Sequence, residues 1–119
     1  MKNLILSTLL VALSFPVFAK EPENEATVLK ENCRIVSLFA ELAMKFRQAG
    51  KPIQEALSKA SGIRKNSTSF ADIYEDIVVY AYTKTRFSTT EYRINAVNDF
   101  ASDAYVGCMT ANDGIRGAK

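Results

Sequence analysis

Three sets of side chains in this sequence have types and spacings that chemistry can use. Asp72, Glu75 and Asp76 fall within about one helical turn of one another. Such a group can pair two carboxylates as acid and base for glycoside cleavage, or hold a hard cation such as Ca²⁺ through oxygen. Its plainer role, at a helix start, is to offset the helix dipole. A second set joins the cations Arg47, Lys51, Lys84, Arg86 and Arg93 with the aromatics Tyr82, Phe87 and Tyr92. Guanidinium and ammonium groups interleaved with aromatic rings suit an acidic partner surface or a phosphorylated envelope component. The third set is the pair Cys33 and Cys108.

What is missing narrows the field as much. The 119 residues contain no His, which excludes Ser-His-Asp and Cys-His catalysis and imidazole metal sites. No catalytic constellation is recognisable and no metal or cofactor is implied, so the chain reads as a binding protein and not as an enzyme. Lys and Arg number 15 against 13 Asp and Glu, a formal charge of +2. That is too small for a protein that holds nucleic acid by neutralising phosphates.

The N-terminus sets the compartment. Met1-Lys2-Asn3 is a short positive start, residues 4–18 are an almost unbroken apolar run, and Val17-Phe18-Ala19 ends it with the small-x-small pattern of a cleavage site. Residues 1–19 therefore read as a cleaved secretory signal, being shorter than the roughly 20 apolar residues a membrane span requires. The mature chain then starts at Lys20 and spans no membrane, in the periplasm or outside the cell. In an oxidising compartment Cys33 and Cys108 are most simply a disulfide; the alternative is an unpaired buried thiol at each position. The bridge would close a long loop, for which the chain-entropy model gives roughly 4–5 kcal/mol as a ceiling.

These side chains must be positioned by helices, because the apolar spacing is helical throughout. Residues 20–26 form a charged, flexible lead-in. From Thr27, Val28, Ile35, Phe39, Leu42, Phe46 and Ala49 recur at helical steps, with Lys30, Arg34, Ser37, Glu41, Lys45 and Gln48 as the polar stripe. Gly50 suits the left-handed residue that ends such a helix. Pro52 opens a short second helix that buries Ile53, Ala56, Leu57 and Ala60 and stops at Gly62. After a polar loop, Ser69-Phe70-Ala71-Asp72 resembles a capping box for a third helix, with the acidic residues crowding its first turn. Residues 77–82, rich in β-branched and aromatic side chains, also describe a strand; helix is preferred because a lone strand has no partner. Ser88-Thr89-Thr90-Glu91 is a full capping box, with Phe87 and Tyr92 spaced as a hydrophobic staple. The fourth helix should end near Thr110, leaving residues 111–119 as a flexible tail.

Short connections favour an up-down order, so the expected fold is all-α: a small antiparallel four-helix bundle, three longer helices and one short, over residues 27–110. In that order the two cysteines share one pole. Arg47, Lys51, Lys84, Arg86, Phe87, Tyr92 and Arg93 gather at the other, beside the N-terminal ends of the second and fourth helices, where free amide groups favour anions.

Several of these residues carry a resemblance. Cys33, the Ala-rich residues 40–43, Arg47-Gln48-Ala49-Gly50, Ala81-Tyr82, Arg86 with Ser88-Thr89-Thr90-Glu91, and Tyr105-Val106-Gly107-Cys108 resemble an uncharacterised family of small, signal-peptide-bearing, two-cysteine helical proteins of Gram-negative bacteria. The resemblance implies a periplasmic or secreted helical protein with the disulfide formed, and attaches no activity. The function the residues suggest is docking of an acidic partner or envelope component at the cationic pole. The alternatives are a periplasmic stress chaperone, whose acid trigger would have to come from carboxylates near pH 4 or below, and a carboxylate-based hydrolase.

Overall fold

The computed structural model describes residues 25–117, and among these the chain is all-α: α1 (Glu25–Gln48), α2 (Ile53–Leu57), α3 (Ala60–Arg64), α4 (Thr68–Ala81) and α5 (Thr90–Gly117). The expected signal segment and the lead-in up to residue 24 lie outside the described residues; residues 25 and 26, expected in the flexible lead-in, are instead the first residues of α1. The long helix α1 is the central element, packed along α5 on one side and α4 on the other. The up-down order holds. Phe39 of α1 meets Phe70 and Tyr74 near the start of α4, at ring distances of 6.1 and 5.4 Å, so these two helices run the same way. Cys33 near the start of α1 is bonded to Cys108 near the end of α5, with Cα atoms 5.5 Å apart, so this pair runs antiparallel. No described helix is long and apolar enough to cross a membrane.

Packing on two sides explains which residues of α1 are buried. Cys33, Ala40, Ala43, Met44 and Gln48 form its core line. Mostly small side chains let two neighbouring helices approach closely. The stripe expected from hydropathy is rotated away from this line: Val28 and Leu42 are more than a third exposed, while Gln48, placed on the polar stripe, is buried. α4 contributes Ala71, Tyr74, Val78 and Ala81 at steps of three and four, and α5 contributes Val97 and Phe100. Tyr74 is the largest fully buried side chain. Its ring packs edge-on against Phe39, and its hydroxyl donates to the Ala56 carbonyl at 2.7 Å, fastening α2 beneath α4. Burial raises the phenol pKa to about 12, with a smaller contribution from Tyr82.

Local chemistry shifts five element boundaries. The second helix is broken into α2 and α3, because Ser58 ends the first turn with its hydroxyl donating to the Glu55 carbonyl at 2.6 Å. Gly62 lies inside α3 and does not stop it. Ser67, and not Ser69, caps α4: it is extended, and its Oγ accepts from the Phe70 amide at 3.1 Å. Asp72, Glu75 and Asp76 consequently lie beyond the first turn, and residues 77–81 are helix with Tyr82 as the C-cap. At α5, Thr89 in place of Ser88 accepts from the Tyr92 amide at 3.3 Å; Phe87 and Tyr92 still pack at 5.9 Å, but the shifted cap places them one position ahead of the staple positions. The helix then passes Thr110 and continues to Gly117. No proline follows to end it, and isolated glycines lower helix propensity without forcing a stop.

Candidate functional site

The end of α1, the segment 82–89 and the start of α5 meet at the pole away from the disulfide. α1 stops because Gly50 takes a φ of +72°, which glycine alone adopts readily. The chain then turns into α2, and the Tyr82 hydroxyl donates across the gap to the Lys51 carbonyl at 2.7 Å. Burial raises the Tyr82 pKa; the nearby Arg47 cation opposes this and Glu55 adds to it.

Gln48 is the keystone of this end. It is 3% exposed, and its amide reads the passing 85–87 backbone from both sides. Nε2 donates to the Thr85 carbonyl at 2.8 Å, and Oε1 accepts from the Phe87 amide at 2.9 Å. A buried amide satisfied on both faces fixes the segment in one register, since a slip would strand two polar groups.

Three arginines complete the frame by donating to backbone carbonyls. Arg47 Nε reaches the Lys84 carbonyl at 3.0 Å, Arg86 Nε the Gln48 carbonyl at 3.3 Å, and Arg93 Nε the Phe87 carbonyl at 2.6 Å. The Arg47 guanidinium also stands 5.5 Å from the Tyr82 ring centre. The Arg86 guanidinium lies across Gly50, where a Cβ would come within 2.7 Å of Nη2. Arg47-Gln48-Ala49-Gly50 is thus a unit: two side chains that bind a distant loop, and a glycine that admits an arginine. Lys84 donates from Nζ to the Tyr80 hydroxyl at 2.9 Å and sits over that ring, while the Lys51 and Lys84 side chains fix no backbone.

All seven residues expected at the cationic pole are therefore brought together there: Arg47, Lys51, Lys84, Arg86, Phe87, Tyr92 and Arg93. Their electrostatics differ from those of the other charged residues. Among the described residues, carboxylates pair with Arg34, Lys45 and Arg64, and none pairs with the five cations of the pole. Carbonyl oxygens orient the guanidiniums without cancelling their charge. The start of α5 lies at the same pole; α2 is a single turn and adds little dipole.

The acidic set has a different fate. Arg64, at the end of α3, donates Nη1 to Asp72 at 3.0 Å and Nη2 to Glu75 at 2.8 Å. These hydrogen bonds raise the arginine pKa further above its ordinary value. Asp72 and Glu75 thus clamp α3 to α4 through Arg64, and Glu75 with Arg64 also borders an open hollow beside α3. No group of three His, Cys, Asp or Glu among the described residues converges as a metal site.

The chain matches no family model, no curated protein and no solved structure. Gln48 and the contact of Gly50 with Arg86 escape a reading by hydropathy. The signal for Gln48 was its register, since it continues the Cys33, Ala40, Met44 line at steps of seven, four and four.

Proposed function

We propose that the protein is an exported interaction protein, periplasmic or secreted, that acts by binding and not by catalysis, and that its cationic pole docks an acidic partner. The observation that carries this reading is the set of five cations at one pole without a carboxylate partner among the described residues. Charges held in place and left unneutralised steer an oppositely charged surface and lower the ordering cost of meeting it. Guanidiniums that spend Nε on the backbone keep Nη groups for carboxylates or phosphates. The disulfide fits an oxidising compartment, and the resemblance to small two-cysteine proteins of Gram-negative bacteria agrees with export.

The test uses Lys51 and Lys84, because reversing Arg47, Arg86 or Arg93 would also break the frame. Poly-L-glutamate is the probe, with phosphatidylglycerol vesicles as a second arm. The double variant Lys51→Glu/Lys84→Glu should bind poly-L-glutamate at least about tenfold more weakly, with unchanged helicity, and added salt should weaken the parent in the same direction. Parent binding that is undetectable at low salt, or indifferent to both lysines, overturns the reading. Binding to vesicles alone identifies an anionic envelope component as the partner.

A further inference from the structure

The pole continues along one side of the molecule into an open groove between α1 and α5. Its volume is about 430 Å³, its floor is Gln48, Ala49 and Val97, and Ile94 forms a wall with 55% of its surface exposed. A second hollow joins it at Lys45 and Ala49 and adds Leu42 and Phe46. Leu42, Phe46 and Ala49 recur at steps of four and three on α1 along the second hollow, and Ala49 alone of the three also lines the groove with Ile94 and Val97 of α5. With Leu42 exposed on α1 and Ile94 exposed on α5, above the buried Val97, the two antiparallel helices present a seat for a third helix, which would bring its own stripe at i, i+3, i+4 and i+7.

The rim decides the partner's charge. Lys51 stands beside the second hollow and Arg93 beside the first, neither in an ion pair; Lys45 lies between them, bonded to Glu41 at 2.7 Å, the one carboxylate on this surface. Three cations against one carboxylate leave a net positive border on an apolar floor. The groove is shallow and open along its length, which suits a helix laid on its surface better than an acyl chain that needs enclosing.

Resting on the proposed binding role of the pole, we infer that the partner docks as an acidic amphipathic helix of another protein. Its apolar stripe covers Ile94, Val97, Leu42 and Ala49, and its flanking carboxylates meet Arg93, Lys45 and Lys51. The pole supplies the steering charge and the groove supplies the contact area.

A displayed library of randomised helical peptides about four turns long, selected on the oxidised, processed chain, tests this. Selection should enrich acidic sequences with apolar residues at i, i+3, i+4 and i+7. Their affinity should fall at least about tenfold in Ile94→Glu, a change on an exposed face, and much less in Lys84→Glu, which lies off the groove. Acidic binders that are lost in Lys84→Glu and unaffected by Ile94→Glu would overturn the groove and leave the pole standing. Binders indifferent to both variants, or basic or extended in sequence, would overturn both. Sedimentation of the protein alone gives another arm: a dimer dispersed by Ile94→Glu makes a second copy the occupant and overturns the inference. Binding of phosphatidylglycerol vesicles abolished by Ile94→Glu, with no helical peptide selected, overturns it in favour of a lipid surface.

Discussion

The two ends of the α1–α5 pair are closed by opposite means. At one end Cys33 and Cys108 make a covalent bond with the first sulfur wholly buried. At the other, Gln48, Arg47 and Arg93 hold the segment 82–89 through hydrogen bonds to its backbone, and Arg86 of that segment donates back to the Gln48 carbonyl of α1. The covalent end uses no charge to close. The hydrogen-bonded end uses the same groups to fix its shape and to present positive charge, since a carbonyl orients a guanidinium without neutralising it. The Arg64 corner shows the contrast in a single residue, where two carboxylates take the charge and the result is a clamp.

Breaking the covalent end should have the largest effect. The variant Cys33→Ala/Cys108→Ala is expected to lose up to about 4–5 kcal/mol in urea denaturation, because the loop between the cysteines becomes free in the unfolded chain. A loss below about 1 kcal/mol would show that the unfolded chain stays compact without the bond. At the other end, Gln48→Ala strands the Thr85 carbonyl and the Phe87 amide. The expected cost is about 3 kcal/mol, with faster hydrogen exchange at Phe87. If both variants have similar stability but only Gln48→Ala speeds that exchange, the two closures are independent.

Alkali probes the core between the ends. There Tyr74 is buried with its pKa pushed up to about 12. The unfolded phenol loses its proton near pH 10 and the folded one does not, so the unfolded state binds fewer protons above that pH. Stability is therefore fully present below about pH 10 and falls as the pH rises towards 12, by between about 2 and 3 kcal/mol. Tyr74→Phe should remove most of this alkaline slope, Tyr82 keeping the remainder, while lowering stability at neutral pH through the unpartnered Ala56 carbonyl. An unchanged slope in that variant would assign the titration to another tyrosine.

Much of this arrangement was legible before the structure, and the failures have a common cause. Apolar spacing located the long helices, and cap residues placed their starts to within two positions. The error at each cap arose where neighbouring hydroxyls competed: Ser67 against Ser69, and Thr89 against Ser88. Topology then sufficed to gather the cysteines at one pole and the cations at the other, because up-down order follows from short connections. Charge patterning in the local sequence misled for Asp72 and Glu75, whose partner Arg64 arrives from another helix. The register of α1 misled too: hydropathy reports one apolar face, and this helix is covered on two. Gln48 looked polar and exposed for the same reason, although its position continues the buried line of small residues.

The smallest expected effect tests whether the hydrogen-bonded end is a unit or a sum of bonds. Gly50→Ala places a side chain at φ +72°, which costs about 1–2 kcal/mol for an L residue in the left-handed region. The new Cβ would also lie 2.7 Å from Arg86 Nη2, so the guanidinium must leave Gly50 and loosen its bond to the Gln48 carbonyl. The two contributions separate in a double-mutant cycle with Arg86→Ala. If crowding matters, Gly50→Ala costs less once Arg86 is shortened, with a coupling of about 0.5–1 kcal/mol. If the costs simply add, backbone conformation accounts for the whole effect, and Arg86 is held at the pole by its carbonyl bond alone. A positive coupling would mean that Gly50 sets both the turn of the chain and the place of a cation, which is the economy that separates this end from the one closed by sulfur.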